Sequence, residues 1–338
     1  MLLSICIPTF NRKKNLEDCL NSIFISSNNV KNLNFEVCVS DNCSNDDILS
    51  VIKKFENKIN LKFNKNEKNL GFSLNAIKSI SMASGDFVWL IGNDDLLLPF
   101  SLKKLKKLIE NNSDAEFFFV NSFFYETKNL INFSSPINTN EIDLKNLKSI
   151  CSLKNDKIGN FWDVIDPKVS WDFLIGIFLS VFKREKWLEN LHVLNEDDLK
   201  DITPWSNFDN TCTHPKVLSS AFKNSKAYIC SEPLSINLVG EREWFNLYDF
   251  VEIVRIPELL DHYRTQGMPL IKYLYCKNFA LRNFINYFIK ILIGGKKRGL
   301  NYVNLKKNFF KNLYFPNVYL SPFYFLFRYL KKIVAQKK

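Results

Sequence analysis

Apolar residues follow two patterns along the first third of the chain. Runs of consecutive apolar residues, such as 87–91 (Phe-Val-Trp-Leu-Ile), are typical of strands buried on both faces of a sheet. Mainly apolar stretches, each interrupted by a polar residue, occur at 2–8, 35–40 and 61–63, and we expect strands there as well. Between the runs, apolar residues recur every three or four positions, as in amphipathic helices. This alternation of strands and helices predicts an α/β fold with a mostly parallel sheet and helices on both faces.

The rest of the chain divides by composition. Residues 126–170 are polar and weakly periodic, so we expect loops there, before an apolar run at 175–182 and a closing strand at 228–234. Beyond residue 240 the sequence is helical in pattern, basic and rich in Phe and Tyr. The predicted division is a domain over 1–240, with halves 1–125 and 126–240, and an extension over 241–338.

Positive charge is concentrated in the extension. The net charge is +11, yet residues 241–338 alone hold 18 Lys or Arg against six Asp or Glu, and no acid follows residue 262. Such asymmetry indicates an anionic partner. Near the end, Phe323 and Phe327 share a helical face flanked by Arg328.

Three interpretations of the extension follow from this pattern. Aromatic anchors with basic flanks suit a helix lying on an anionic membrane surface. The aromatic residues would also suit packing on the preceding domain. Nucleic-acid binding is less favoured because no recognition motif accompanies the charge. The apolar run 279–293 is short and interrupted by Arg282 and Lys290, so we do not expect it to span a membrane.

Cysteine usage and the N-terminal sequence bear on location. The eight cysteines form no CxxC pair, which indicates reduced thiols and a cytoplasmic compartment. The sequence Met-Leu-Leu-Ser leads directly into a strand, without a signal-peptide pattern. Neither GxGxxG nor GxxxxGK[ST] is present, which disfavours a dinucleotide fold or a phosphate-binding P-loop.

Polar side chains follow three of the predicted strands. Because the carboxyl ends of parallel strands meet at one sheet edge, we expect these side chains to lie together. Carboxylates there suit a divalent cation that also holds phosphate oxygens. Each residue alone could instead form a turn or a helix cap, but those roles do not explain the shared edge. The residues are Thr9, Asn11, Arg12, Asp41, Asp94 and Asp95.

Four motifs in order resemble the family-2 glycosyltransferases. They are Ser-Ile-Cys-Ile-Pro-Thr-Phe-Asn-Arg at 4–12, Val-Ser-Asp-Asn-Cys-Ser at 39–44, Asn-Leu-Gly at 69–71, and Ala-Ser-Gly-Asp at 83–86 with Gly-Asn-Asp-Asp at 92–95. Within that family the abequosyltransferase-like enzymes are most similar. The resemblance implies a GT-A type, Rossmann-like α/β/α sandwich with a mixed, mostly parallel sheet, followed here by a helical basic extension.

The resemblance also implies roles for individual residues. Pro8, Thr9, Asn11 and Arg12 would line the nucleotide pocket, with Asp41 on the base. Asn93, Asp94 and Asp95 would form the DxD-type motif that meets the diphosphate and a Mg²⁺ or Mn²⁺ ion, with Asp95 as metal ligand and His214 assisting. Asn93 replaces the usual first Asp of the motif, which lowers the negative charge available to a cation.

The catalytic base is a second open point. Family-2 enzymes transfer by direct displacement with inversion, so a base must take the proton from the acceptor hydroxyl. Asp209 is the first candidate and Asp172 the alternative, with Glu196 and Asp197 weaker. Asp209 also suits a helix N-cap, and His214 also suits a structural hydrogen bond.

The expected activity is transfer of a monosaccharide from a nucleotide-sugar to a saccharide or lipid-linked saccharide in bacterial surface polysaccharide synthesis. A UDP-sugar is favoured, with CDP- or dTDP-sugars as alternatives. The expected location is the inner face of the cytoplasmic membrane. The rival hypotheses are a nucleotide-sugar-binding scaffold without catalysis and, less favoured, a basic nucleic-acid-binding protein.

Overall fold

The computed structural model describes residues 2–30, 32–130, 133–240 and 244–336. The strands are β1 Leu2–Thr9, β2 Asn34–Asp41, β3 Leu61–Lys65, β4 Phe87–Leu90, β5 Asp95–Leu97, β6 Phe117–Glu126, β7 Lys148–Ser149, β8 Lys157–Asn160, β9 Ser180–Lys183 and β10 Lys226–Val239. The α-helices are α1 Lys13–Asn28, α2 Ile48–Phe55, α3 Gly71–Ser81, α4 Ser101–Asn111, α5 Phe161–Val164, α6 Arg184–Glu189, α7 Glu196–Lys200, α8 Phe208–Thr211, α9 Thr213–Phe222, α10 Tyr248–Phe250, α11 Ile256–Thr265, α12 Leu270–Ala280, α13 Phe284–Gly294 and α14 Pro316–Gln336. Two π-helical turns, Val251–Arg255 and Leu305–Phe309, interrupt the helices of the extension.

One mixed sheet organises the molecule. Its strand order is β3-β2-β1-β4-β9-β6-β10-β5, with β7 beside β6 and β8 beside β10. The pairs β3–β2, β2–β1, β1–β4 and β6–β10 are parallel, whereas β9 runs antiparallel between β4 and β6. Most of the paired length is parallel, so the predicted α/β class with a mixed, mostly parallel sheet is confirmed.

The helices cover the sheet as the apolar pattern predicts. Every residue of β4 is buried, as expected for a strand with helices on both faces. On α2 the buried residues are Ile48, Val51, Ile52 and Phe55, which form one helical stripe. Packing of such stripes on the sheet is the main source of stability, because it removes apolar surface from water.

A buried cluster of hydrogen bonds and one ion pair joins the amino-terminal ends of the central strands. Glu36 of β2 accepts hydrogen bonds from the hydroxyls of Ser4 and Ser84, and Lys62 Nζ lies 2.8 Å from its carboxylate. Burial alone would raise the pKa of Glu36, but these hydrogen bonds outweigh it and lower the pKa to about 2. The cluster fixes the register between β1 and β2, which run in step from Leu2 opposite Asn34 to Thr9 opposite Asp41. The functional strand ends are therefore level at the opposite edge.

The start of the extension shares the main core. Leu259, Leu260 and Tyr263 of α11 are fully buried in the same apolar cluster as the sheet. Residues 241–243, where the sequence predicts the boundary, lie outside the described residues. A second cluster, centred on Phe250, Phe284 and others, packs the later helices on one another. Within the part of the chain that the structure describes, no helix combines the length and apolarity needed to cross a bilayer.

Candidate active site

The loops after β1 and β2 are joined by hydrogen bonds. The Asn11 amide donates to Ser44 Oγ at 2.8 Å, and the Asn45 amide donates to Asn11 Oδ1 at 2.8 Å. Asn11 adopts a left-handed backbone with φ of 49°, a conformation that Asn tolerates better than most residues. The local sequence thus brings the two strand ends together into one rim, as predicted.

Asp41 presents a buried carboxylate at this rim. Its side chain is fully buried, and Oδ1 accepts from the amide and the hydroxyl of Ser44. Oδ2 has no hydrogen-bond partner among the described residues, and the nearest cation is Lys65 Nζ at 4.0 Å. Because buried polar atoms are normally paired, an acceptor in this state is suited to an incoming N–H or hydroxyl of a ligand.

Arg12 and Asp94 form an ion pair between the ends of β1 and β4. Arg12 Nη1 lies 3.0 Å from Asp94 Oδ2, and both side chains are partly exposed, by 27% and 15%. The indole of Trp244 lies against the guanidinium, 5.4 Å from ring centre to Cζ. Both partners therefore keep solvent-facing surface at which a diphosphate could bind.

Asn93 and Asp95 are buried, and their side chains form hydrogen bonds within the protein. Asn93 Nδ2 donates to Thr9 Oγ1 at 2.7 Å. Asp95 is 1% exposed, its Oδ2 accepts from the Gly92 amide at 2.7 Å, and its Oδ1 accepts from Asn237 Nδ2 at 2.7 Å. Metal binding by Asp95 stays a prediction, and its hydrogen bonds favour Asp94 instead as the carboxylate that meets a ligand. Pro8 lies within β1, opposite Ser40.

A divalent cation fits this site only together with a bound diphosphate. Among the described residues there is no group of three or more His, Cys, Asp or Glu that could hold a metal ion. Asp94 supplies a partly exposed carboxylate. One carboxylate plus substrate phosphate oxygens is a common way to hold Mg²⁺. The donor set is therefore compatible with a metal that arrives with the substrate.

Asp172 lies in the loop that precedes β9. Its carboxylate accepts from the hydroxyl of Ser170 and, at 2.9 Å, from the amide of Gly176. Burial raises the pKa of the Asp172 carboxyl, against the opposing effect of these hydrogen bonds. Since β9 runs antiparallel to β4, and Trp89 Nε1 donates to the carbonyl of Phe178 at 2.9 Å, the loop lies at the carboxyl end of β4. The segment that leads from Asp172 into β9 therefore reaches the end of β4 that Asp94 follows.

Asp209 and His214 are buried, and each side chain is bonded to another part of the protein. Asp209 is 3% exposed, and its two oxygens lie 2.7 and 2.8 Å from Lys216 Nζ. His214 is also buried, its Nε2 lies 2.8 Å from the Leu174 carbonyl, and burial lowers its pKa to about 4. The structure does not bring His214 into a metal-binding group with the described carboxylates. Catalysis by Asp209 and metal binding by His214 stay predictions that these contacts do not favour.

Three further residues of the rim had no role assigned from the sequence. Ser44 and Lys65 contact Asp41, and Trp244 reaches Arg12 from the extension. Ser44 belongs to the motif at 39–44, but nothing in the sequence marks Lys65, because Lys is common on any exposed segment. Trp244 is distant in sequence from the residues that it contacts, so only the folded chain shows the contact.

Comparison with known proteins identifies the domain that carries this site. Residues 4–161 match the model of the glycosyl transferase family 2. The chain is 42% identical over 117 residues to the abequosyltransferase RfbV of Salmonella typhimurium, covering 34% of each protein. It is 32% identical over 208 residues to the GalNAc(5)-diNAcBac-PP-undecaprenol beta-1,3-glucosyltransferase of Campylobacter jejuni, covering 61% of this chain and 59% of that protein.

Solved structures show the same architecture. The S. aureus TarS 1–349 structure superimposes with a TM-score of 0.54 at 15% identity, covering 90% of this chain and 76% of that one. Its complex with UDP gives a TM-score of 0.52 at 16% identity, covering 85% and 72%. Residues 4–161 thus match the glycosyl transferase family 2, and the chain has the fold of the TarS structures. The matches span about a third of the length of RfbV and a fifth of the length of TarS.

Proposed function

We propose that this protein transfers a hexosyl or deoxyhexosyl group from a nucleotide-sugar to a saccharide or lipid-linked saccharide of the bacterial surface. The observation that carries the proposal is the convergence of Asp41, Arg12 and Asp94 on one sheet edge, within the residues that match the family. Two relatives are an abequosyltransferase and a glucosyltransferase whose name includes an undecaprenol-linked glycan, which supports this substrate class.

Each residue has a role that its geometry supports. Asp41 Oδ2 accepts a hydrogen bond from the nucleotide base or ribose. Arg12 binds the diphosphate through its guanidinium fork and offsets the charge that grows as the bond to the sugar breaks. Asp94 would hold a divalent cation against the same phosphates, and such an ion would supply further charge stabilisation.

Asp172 is the proposed general base. Its loop leads into β9 at the end of β4 that Asp94 follows, which supports this role, whereas Asp209 is held in a buried ion pair with Lys216. Asp172 takes the proton from the acceptor hydroxyl as that oxygen attacks the anomeric carbon. The nucleoside diphosphate leaves from the opposite face, so the anomeric configuration inverts.

The proposed location is the cytoplasmic face of the membrane. The later part of α14 carries exposed aromatic residues, including Phe323 and Phe327, and the extension is strongly basic. Such a surface suits anionic lipids. A lipid-linked acceptor would be presented at the same face.

A thermal-shift assay tests the donor site. We expect one nucleotide among UDP, GDP, CDP and dTDP, with UDP tested first, to raise the melting temperature, because a ligand that binds the folded state stabilises it. Asp41→Asn keeps the size of the side chain but replaces the accepting Oδ2 with a donor. We expect it to weaken nucleotide binding at least tenfold, whereas Lys14→Ala on the exposed start of α1 should not.

The assay is repeated with Mn²⁺ and after chelation with EDTA. A shift that grows with Mn²⁺ and falls in Asp94→Asn would support a metal held by Asp94. A shift that is indifferent to Mn²⁺ would assign the diphosphate to Arg12. Absence of any nucleotide effect on the folded protein would contradict the proposed donor site and favour the scaffold or nucleic-acid-binding hypotheses.

A further inference from the structure

The loop before β9 holds two consecutive residues in a rarely populated backbone conformation. Phe173 and Leu174 have φ angles of 53° and 75°, in the left-handed region. Residues with large side chains avoid this region because Cβ crowds the carbonyl oxygen. Both side chains are nevertheless fully buried. Such a conformation persists only where surrounding structure imposes it, and it occurs preferentially at functional sites.

Two side chains from distant parts of the chain fix the carbonyls of these residues. Tyr263 Oη donates to the Phe173 carbonyl at 2.8 Å. His214 Nε2 lies 2.8 Å from the Leu174 carbonyl, and since a carbonyl can only accept, this nitrogen carries the proton. The ring of Phe173 also packs edge-on against Phe279, with centroids 6.4 Å apart. Tyr263 belongs to α11 and Phe279 to α12, so two of the three contacts come from the extension.

The strained turn determines where the Asp172 carboxylate lies. The Leu174 amide donates to its Oδ1 at 3.2 Å, and the Gly176 amide donates to its Oδ2 at 2.9 Å. These amides converge on the carboxylate because the chain reverses direction at Phe173 and Leu174. An extended backbone at either residue would turn the amides away, and the carboxylate would lose two of its donors.

We propose that Tyr263 and His214 are positioning residues that hold the 172–176 turn, and thereby the Asp172 carboxylate, in its catalytic orientation. The inference rests on the proposed role of Asp172 as general base. It makes the extension a part of the catalytic apparatus, although the match to the family model ends at residue 161. A Phe at position 263 would be enough for an apolar contact alone. The Tyr263 hydroxyl also donates to the carbonyl of Phe173, whose backbone is in the left-handed region.

Hydrogen exchange tests the positioning directly and does not need a substrate. Tyr263→Phe removes the hydroxyl and leaves the ring in the core. Tyr273→Phe is the matched control, because its hydroxyl donates to Asp261 at 2.7 Å, on the neighbouring helix α11, rather than to the turn. We expect amides in a peptide spanning 170–179 to exchange about tenfold faster in Tyr263→Phe and at the parental rate in Tyr273→Phe. His214→Gln, which retains a donor, should have a smaller effect than His214→Ala.

Turnover links the turn to catalysis. The probe is release of nucleoside diphosphate from the nucleotide-sugar that stabilises the protein, with water as acceptor. We expect Tyr263→Phe to lower kcat about tenfold and to leave KM for the donor within twofold, because the donor site is intact. Tyr273→Phe should keep both values within twofold, and Asp172→Asn should lose at least a hundredfold in kcat.

The outcomes separate the inference from the function on which it rests. Parental exchange in Tyr263→Phe, or equal effects of the two Tyr→Phe changes, would overturn the positioning role while the loss in Asp172→Asn still supports the base. Retained turnover in Asp172→Asn would contradict the role of Asp172 as general base. The 172–176 turn would then have no role in catalysis. Three results together would support both the positioning role of Tyr263 and the role of Asp172 as base. They are faster exchange in Tyr263→Phe, a lower kcat in Tyr263→Phe but not in Tyr273→Phe, and loss of turnover in Asp172→Asn.

Discussion

The buried carboxylates of this molecule differ in whether their oxygens are already bonded. Asp209 accepts from Lys216 Nζ at 2.7 Å and from the Asn195 amide at 2.6 Å, so its charge is compensated within the protein. Asp41 instead keeps one oxygen without a hydrogen-bond partner among the described residues. The ion pair with Lys216 makes Asp209 a stabilising part of the fold, whereas the second oxygen of Asp41 is suited to a donor on a ligand.

Asp209→Asn therefore primarily tests stability. The change leaves Lys216, which is 15% exposed, without its anionic partner, and we expect a loss of about 3 kcal/mol in the free energy of unfolding. The measurement is urea unfolding followed by circular dichroism. The double variant Asp209→Asn with Lys216→Met should recover most of the loss and retain turnover. A double variant that is stable but inactive would instead restore Asp209 as a candidate base.

The sequence predicts residues of the site when their position follows from a strand end. Thr9, Arg12, Asp41 and Asp94 lie on one edge because each follows a parallel strand, and parallel strands end together. It does not predict which of two adjacent carboxylates faces outward. Asp95 turns inward because Asn237, distant in the chain, donates to it, and no local pattern contains that information.

At the scale of elements, the mainly apolar strands at the centre of the sheet are predictable and the short strands at its edges are not. β1, β2 and β4 are mainly apolar, and this pattern predicts strands that are buried on both faces of the sheet. β5 has only three residues, and its identity depends on antiparallel pairing with β10, in which Asp95 lies opposite Asn237. β7 and β8 are likewise short and arise in the polar segment expected to form loops. Their formation is set by long-range pairing rather than by periodicity.

The last helix changes character along its length. Val318 and Ser321 are fully buried, and Ser321 Oγ accepts from the Ile285 amide at 3.0 Å, so the start of α14 packs on α13. Residues 323–327 are all exposed, with Phe323 and Phe327 each 68% exposed. Five successive residues cover the whole circumference of a helix. Exposed side chains are therefore found on every side of the helix in this segment.

The exposed aromatic residues of α14 can be tested for vesicle binding. We expect the full chain to sediment with vesicles of phosphatidylcholine and phosphatidylglycerol, and the double change Phe323→Ser with Phe327→Ser to weaken binding at least tenfold, because each buried Phe contributes about 2 kcal/mol. Phe245→Ser, which alters another exposed aromatic residue, is the control. Binding should fall with added salt. Equal binding by the double variant and the control would contradict a membrane role for α14.

At the scale of the whole molecule, composition separates residues 1–240 from the extension, but the two parts share one hydrophobic core. The change in charge near residue 240 predicts a boundary, because charge is visible in sequence. Burial is not visible in the same way, and Leu259 and Tyr263 of α11 complete the core that covers the sheet. The start of the extension is therefore part of the main fold energetically.

Cooperative unfolding is the expected result of this shared core. We expect far-UV circular dichroism and tryptophan fluorescence to report one transition in urea with the same midpoint. Leu259→Ala, at a fully buried position of α11, should lower both midpoints together, with a loss of about 3 kcal/mol in the free energy of unfolding. Two separate transitions, with only one shifted by Leu259→Ala, would contradict a single cooperative unit.

The hydrogen bond from Tyr263 to the Phe173 carbonyl also sets an order of events during synthesis. The ribosome completes the nucleotide-binding strands first, and α11 emerges only after every other part of the sheet has been made. Because α11 also completes the core that covers the sheet, a nascent chain would reach its cooperative fold only after α11 has been made. Products truncated before α11 would be expected to remain unfolded and open to proteolysis, so that donor binding and catalysis are both restricted to chains translated past the sheet.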